Sequence, residues 1–314
     1  MINTGVPPAD HGTDSTGRAG LRKRRANVAR KSGRRGSFVA AAIQMTSTAD
    51  VDRNVARATA LVDRAAGAGA ALVALPENFA YLRDEGSPVA FRETLDGPVV
   101  RELAAAARRH RIHLLLGSIP EAARGGRVHN TSVLLGPAGD VLATYRKLHL
   151  FDIRMRGRVV LDEGRFVSAG RRAVVADTAL GRLGLSICYD LRFPELYRRL
   201  TLDLAADVLF VPAAFTAFTG PHHWLPLLRA RAIENQCWVV APAQVGRHND
   251  KRSSHGESAI IDPWGRVVAR RLRGEGWIAA RIDHAATRRT RTGLPCLEHA
   301  RPDLRASLRR ARTR

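Results

Sequence analysis

LGLSICYDLRFPELYRR, residues 183–199, joins a buried apolar strand to a helix beginning near Pro194, with Cys188 at the junction. A strand feeding a helix is the repeating unit of an α/β chain. A side chain at such a junction is presented to solvent while nearby backbone N–H groups point toward it. Outward from this segment the pattern repeats. On the N-terminal side FVAAAIQM (38–45) reads as an opening strand. A helix over 52–66 places Val55, Ala58, Leu61, Val62 and Ala65 on one face. ALVALPE (71–77) is a buried strand ending at Glu77, and residues 98–110 form a second helix. HLLLGS (113–118), RVHNTSVLL (127–135) and VLATYRK (141–147) are three consecutive strands, the last two joined by the turn GPAGD. RAVVAD (172–177) is a further strand. On the C-terminal side come the strand DVLFVP (207–212), a helix from Pro221 to Gln236, and the strands CWVVAPA (237–243), ESAIID (257–262), VVARRL (267–272) and WIAARI (277–282), with a DPWG turn between two of them.

A chain of 314 residues with 45% hydrophobic content can bury a large core. The expected organisation is one domain over 37–284, a disordered basic tail over 1–36, and a basic extension over 285–314 whose first part packs on the domain or on a partner. The formal charge of +22 is concentrated at the ends, with +7 in residues 1–36 and +7 in residues 284–314. No run of eighteen apolar residues occurs and the N-terminus lacks the apolar core of a secretory signal, so a cytoplasmic location is expected. Cys188, Cys237 and Cys296 are too few and too widely spaced for a disulfide framework or a paired CxxC metal site. No GxGxxG, GxxxxGK[ST] or HExxH occurs either, so neither a cofactor nor a metal is expected.

Attack of Cys188 on a carbonyl carbon needs the thiolate, of which a free thiol supplies only a few per cent near neutral pH. A base or cation must assist. No single histidine stands out as the partner. A carboxylate and an ammonium do, each at the end of a strand: Glu77 after ALVALP and Lys147 after VLATYR.

With PEN (76–78), YRKLHLFD (145–152), SICYDLRFPELYRR (186–199) and TGPHHWLPLLRARAIENQCWVVAPAQVGRH (219–248) in this order, the chain resembles the nitrilase, or carbon–nitrogen hydrolase, superfamily from Phe38 to about Asp303. The resemblance implies a four-layer αββα sandwich, paired into a homodimer. It also implies catalysis of amide hydrolysis through a thioester by Glu77, Lys147 and Cys188. Glu163 in VVLDEGRF matches a second family carboxylate that holds the lysine, and the backbone N–H of Tyr189 would share the oxyanion with Lys147. Phe215, Thr216 and Thr219 fall on a loop where the family shapes its substrate pocket and His223 in the family segment that follows; Asn130, as a polar group near that pocket, and Arg192, as a partner for a substrate carboxylate, are further candidates. Trp224 belongs to the same segment and also reads as a core aromatic.

The catalytic set does not choose among amides, nitriles and carbamoyl compounds. The stretch LRARAIENQCWVVAPAQVGRH (228–248) is most similar to family amidases acting on deaminated glutathione, with an ω-amidase on 2-oxoglutaramate, or another family amidase or carbamoylase, as the alternative. Either amide is a small anion, which suits Arg192. Four positions depart from the family pattern: His222 for a small residue, Leu225 for an acid, Glu257, two places after His255, for a histidine, and Arg156 for a proline. All lie outside the catalytic set and bear on substrate preference. A reading from a different class, a basic nucleic-acid-binding protein on a hydrolase fold, draws only on the cationic ends. Aromatics are 5% of the chain and no RNA-recognition motif occurs, which leaves little for base stacking.

Overall fold

Alternation along the first strand, β1 (Ser37–Met45), organises the molecule. Ala41, Ile43 and Met45 face one apolar cluster and Ala40 and Ala42 face another, as the two-residue period of a strand requires. The computed structural model describes residues 36–84, 86–155 and 158–301. The reading of residues 1–36 as a tail therefore falls, but for Gly36, outside the described residues, as do Arg156 and the last part of the C-terminal extension.

The first cluster lies between β1 and two helices, α1 (Val51–Gly67) and α2 (Pro98–His110), which supply Val55, Leu61, Leu103 and Ala107. Both helices begin where their sequences dictate. Asp50 caps α1 by accepting from Arg53 N at 3.0 Å, and Pro98 opens α2, where a missing N–H costs nothing. The same sheet contains β2 (Leu72–Ala74) and β3 (His113–Ala122), both in the parallel part, and then β4 (Val128–Leu135) and β5 (Val141–Arg146) in antiparallel order.

A short hairpin, β6 (Asp152–Met155) with β7 (Arg158–Asp162), follows and belongs to neither large sheet. The second sheet is built from β8 (Val174–Thr178), β9 (Gly181–Leu185), β10 (Val208–Phe210) and β11 (Trp238–Ala241). Its helices are α3 (Pro194–Leu202) and α4 (Gly220–Asn235), and Leu196, Leu200 and Leu228 from them join the other main cluster with Leu185 and Phe210. The order helix, sheet, sheet, helix is the four-layer αββα sandwich that the sequence led us to expect.

One expectation is corrected. CWVVAPA reads as one strand, yet the chain ends β11 at Ala241 and begins β12 (Ala243–Arg247) one residue later in the first sheet, parallel to β1. Pro242 lies at the crossing. It has no N–H to give to a ladder, and its carbonyl accepts from Ala213 N at 3.0 Å. The hairpin is completed by β13 (Ser253–His255). The chain then returns to the second sheet as β14 (Ser258–Ile261) and β15 (Val267–Arg271), and β16 (Gly276–Asp283) closes antiparallel to β1. Two C-terminal helices follow, α5 (His284–Gly293) and α6 (Cys296–His299). The first packs on the domain, with Arg291 donating to Ala206 O at 3.0 Å.

β2 is also shorter than read, and Glu77 lies three residues beyond its end. The loop carrying it is seated on a bulge in β3, where pairing with β4 shifts between Leu116 and Ile119. Ser118 Oγ accepts from Asn78 N at 2.9 Å, and Asn78 has a left-handed φ of 57°. Gly117 lets this loop approach: a Cβ there would lie 2.0 Å from Leu75 O and 2.3 Å from Pro76 O. Gly117→Ala should accordingly destabilise the protein by about 3 kcal/mol, the upper range for overpacking, and lower kcat by shifting Glu77. Denaturant unfolding together with steady-state kinetics checks both; a fully stable, fully active variant would contradict the account.

Candidate active site

Glu77, Lys147 and Cys188 arrive from three places in the chain: the loop after β2, the residue after β5, and the elbow after β9. All three are buried, with exposures of 2%, 2% and 8%. Lys147 Nζ donates to Glu77 Oε1 at 2.9 Å and to Glu163 Oε2 at 2.9 Å and Oε1 at 3.2 Å. Asn130 Nδ2 donates to the same two carboxylates, at 3.0 Å to Glu77 Oε1 and 3.2 Å to Glu163 Oε1. The other oxygen of Glu77 accepts Ala214 N at 2.8 Å, and the Cys188 thiol lies beside the same carboxylate. Glu163 Oε2 also accepts Phe151 N at 2.7 Å. The structure thus brings Glu77, Asn130, Lys147, Glu163 and Cys188 together.

Cys188 occupies a left-handed backbone conformation, φ 47°, which costs an L-residue other than glycine about 1–2 kcal/mol. Long-range contacts hold it there. Its N–H donates to Pro212 O at 2.9 Å, two residues beyond the neighbouring strand β10. A tight turn over Cys188–Arg192 then separates the elbow from α3, where the sequence suggested a direct passage into the helix. In this turn Asp190 N donates to Ile187 O at 3.0 Å, whereas no backbone acceptor stands opposite the intervening Tyr189 N–H among the described residues. An amide so placed beside the sulfur is a ready donor to an oxyanion.

Asp190 was not singled out from sequence, and it ties the elbow to the lysine. Fully buried, it accepts four donors: Ile187 N at 2.9 Å and Tyr145 Oη at 2.7 Å on one oxygen, His149 N at 3.1 Å and His149 Nδ1 at 2.7 Å on the other. Tyr145 and His149 flank Lys147 by two residues on either side, so one carboxylate fixes the strand end that delivers the ammonium. Gln244 was missed as well. From the crossing strand β12 its Nε2 donates to Glu77 O at 3.1 Å and to Ser47 Oγ at 2.7 Å. In sequence the only sign of either residue is a polar side chain inside an apolar run.

The ionisation states follow from burial against charge. Burial alone would raise the pKa of Glu77, but the Lys147 charge, the thiol and ammonium hydrogen bonds and the Ala214 N–H together hold it below the ordinary carboxylate value. Burial would likewise lower Lys147, and the charges of Glu163 and Glu77 overcome it, leaving the ammonium raised. The Cys188 thiol is pushed well above its ordinary value by burial and by the Glu77 charge, against the opposing pull of Lys147. The resting site is therefore thiol, carboxylate and ammonium, with the carboxylate poised to accept the thiol proton.

Two cavities meet at Cys188, sharing Phe151 and Ala214 as walls. The larger one also contains Glu77, Asn130, Lys147 and Glu163. The smaller is lined by Tyr189, Arg192, Phe215, Thr216 and Thr219. In it the Arg192 guanidinium lies 5.0 Å from the centre of the Phe215 ring, and the Thr216 and Thr219 hydroxyls are 2.8 Å apart. His223 lines neither cavity; it is exposed, with Nδ1 3.1 Å from Arg192 Nη1. Trp224 is core, fully buried with its ring 5.1 Å from that of Phe215 and its Nε1 donating to Glu257 O at 2.8 Å. Glu257 itself pairs with His255 at 3.0 Å and Arg270 at 3.2 Å. His222 is exposed and Leu225 half-buried. Among the described residues, no group of three or more His, Cys, Asp or Glu side chains is arranged to hold a metal ion.

Residues 39–292 match the family described as carbon-nitrogen hydrolase. The chain is 44% identical over 266 residues to the deaminated glutathione amidase of Synechocystis, covering 83% of this chain and 97% of that protein. It is 43% identical over 274 residues to the human deaminated glutathione amidase, covering 85% and 84%. Among solved structures it superposes on the NitFhit protein of C. elegans with a TM-score of 0.78 and 39% identity, over 86% of this chain and 66% of that one. On Nit3 of Saccharomyces cerevisiae, described as a member of branch 10 of the nitrilase superfamily, the TM-score is 0.74 and the identity 30%, over 83% and 95%.

A thiol held above its ordinary value gives a distinct pH signature. Alkylation of Cys188 by iodoacetamide should still be accelerating as pH rises past 9, because the thiolate fraction is still growing there. The acid limb of kcat/KM should fall below 4.5, because the lowered Glu77 pKa preserves the basic carboxylate until the pH drops through it. An alkylation plateau reached near neutral pH, as for a thiolate–imidazolium pair, would contradict these assignments.

Proposed function

The chain belongs to the carbon–nitrogen hydrolase family of the nitrilase superfamily and is a hydrolase of non-peptide carbon–nitrogen bonds; on that premise we propose that it cleaves the amide of deaminated glutathione through a thioester on Cys188. The observation that carries the mechanism is the convergence of one thiol, one lowered carboxylate and one buried ammonium, with no histidine among the described residues lining either cavity. The identity to amidases named for deaminated glutathione supports the substrate.

Glu77 takes the thiol proton as Cys188 Sγ attacks the amide carbon, and the oxygen becomes an oxyanion facing Lys147 Nζ and the Tyr189 N–H. The carbon–nitrogen bond then breaks, the nitrogen taking the proton from Glu77, and cysteinylglycine leaves as the amine. Water enters, gives a proton to Glu77 and attacks the thioester carbon. The carbon–sulfur bond breaks, the proton returns to the sulfur and 2-oxoglutarate leaves. Throughout, Lys147 remains an ammonium, because Glu77 and Glu163 flank it, and it contributes charge without transferring a proton. Glu163 and Asn130 hold that arrangement. Arg192, in the smaller cavity, suits the 2-oxo-acid carboxylate of the acyl chain.

We further propose a homodimer in the cytoplasm. Exposed Ile233 on α4, which lies against Gly265, and exposed Trp264 next to that glycine in sequence offer apolar surface of the kind a twofold contact covers. A strictly monomeric elution by size exclusion would count against the dimer.

Purified protein should release product from deaminated glutathione at a kcat/KM exceeding that for glutamine, a carbamoyl amino acid or an aliphatic nitrile by about a hundredfold, the upper end of what one unsatisfied buried polar group imposes. Cys188→Ala should lower kcat by 10⁴-fold or more, about the loss expected when a covalent nucleophile is removed, and mass spectrometry should no longer find the acyl-enzyme. Full activity in that variant would defeat the mechanism. Cleavage of the nitrile alone would defeat the substrate while leaving the nucleophile intact.

A further inference from the structure

The two cavities flanking Cys188 differ in chemistry, and proton transfer decides which part of the substrate each can hold. Resting on the reading above, the nitrogen that leaves must come within hydrogen-bond reach of Glu77, since Glu77 returns the proton to it. Glu77 lines the larger cavity and not the smaller. The amine half of the substrate therefore departs into the larger cavity, and the acyl chain occupies the smaller one beside Arg192.

Ammonia would need no more than the space next to Glu77, yet the larger cavity extends much further. Its apolar wall comes from a satellite cluster separate from the main core, with Tyr81, Val128 and Val167 all buried. Two guanidinium groups also line it, Arg83 and Arg252. Arg83 lies over the Phe166 ring, 4.8 Å from its centre, and donates to Ser87 O at 2.6 Å. Arg252 precedes β13 on a hairpin pinned by His248, whose ring nitrogens meet Ser47 O and Ser254 Oγ, each at 2.8 Å. Asp162 lines the cavity as well, and its carboxylate accepts Arg165 N at 3.1 Å.

A second observation lies next to Glu77. Asn130 is 6% exposed, and both carboxylates draw on its NH2 group, which fixes the amide orientation because those oxygens can only accept. Its Oδ1 is buried without a partner. A buried acceptor on the wall of a substrate cavity lacks a donor, and the N–H of a secondary amide is such a donor.

We propose that the larger cavity is a subsite for a carboxylate-bearing leaving amine, an amino acid or dipeptide. Asn130 Oδ1 receives the scissile N–H, the Tyr81, Val128 and Val167 wall accommodates the side chain next to it, and Arg83 and Arg252 receive the terminal carboxylate. The protein is on this basis selective for N-substituted amides ending in a carboxylate over the corresponding primary amide.

The test uses three amides of one acyl group, 2-oxoglutaryl: that of cysteinylglycine, that of cysteinylglycinamide, and the primary amide 2-oxoglutaramate. In the wild type, kcat/KM should fall about ten- to a hundredfold from the first to the second, since that step removes only the carboxylate. In Arg252→Ala and Arg83→Ala the ratio between those two substrates should shrink by the same order, and Arg252→Lys should restore part of it. A general structural defect would lower both rates and leave the ratio as it was, so the ratio reads the subsite and not the fold. A wild type that cleaves all three amides equally well, or ratios unmoved in both alanine variants, overturns the subsite while leaving the proposed reaction standing. A wild type that cleaves none of them overturns the proposed substrate and the subsite with it.

Discussion

The arrangement depends on a single buried ammonium. Lys147 is 2% exposed, and an ammonium at that depth carries a desolvation cost of several kcal/mol unless charges and hydrogen bonds offset it. Glu77 and Glu163 supply both, at 2.9 Å each. Two carboxylates and one ammonium leave a net negative charge, which Asn130, Ala214 N and Phe151 N spread over further donors. The fold has to bring a loop after β2, the end of β5 and a short turn after β7 to within one hydrogen bond of one another. A shift of any of them would strand a buried charge.

This requirement explains features otherwise irrelevant to packing. The bulge in β3 and the absence of a side chain at Gly117 let the Glu77 loop settle on the sheet. Asp190 gathers Tyr145, His149 and Ile187 N, so the strand end carrying the lysine and the elbow carrying the thiol are referred to one point. Gln244 holds the carbonyl of Glu77 from the crossing strand. These residues line neither cavity. They set the distances among groups that do.

Much of this was legible in the sequence because the signals were local. Residues 98–110 form the helix as read, since Pro98 can only start it and Arg111 ends it in a left-handed conformation. The helix over 52–66 was read within a residue of each end, and its apolar face is the buried one. Each large strand carried enough apolar residues to be recognised. What escaped depends on partners distant in sequence. The β6–β7 hairpin is two short strands paired only with each other, too short for a periodicity to mark them. The break at Pro242 is invisible while CWVVAPA is viewed as one apolar run, because sheet membership is decided by β10 and β1 and not by the run itself. At the site, Glu77, Lys147 and Cys188 could be singled out, whereas the need for Asp190 emerges only when Tyr145 and His149 are seen to converge on it. Arg83 and Arg252 look like ordinary surface arginines until the cavity between their loops is known.

The crossing at Pro242 also governs how the molecule can open. A single residue separates a strand central to one sheet from a strand paired with β1 in the other, so neither layer can slide or swing away there without breaking pairs in both. The two sheets consequently behave as one cooperative unit, with amides of β1 and β11 exchanging their hydrogens only in a shared, near-global opening. Local breathing is left to what lies outside that clamp, such as the β12–β13 turn. That turn carries Arg252 on the wall of the larger cavity, so motion there would widen the cavity without disturbing the stack holding the ammonium.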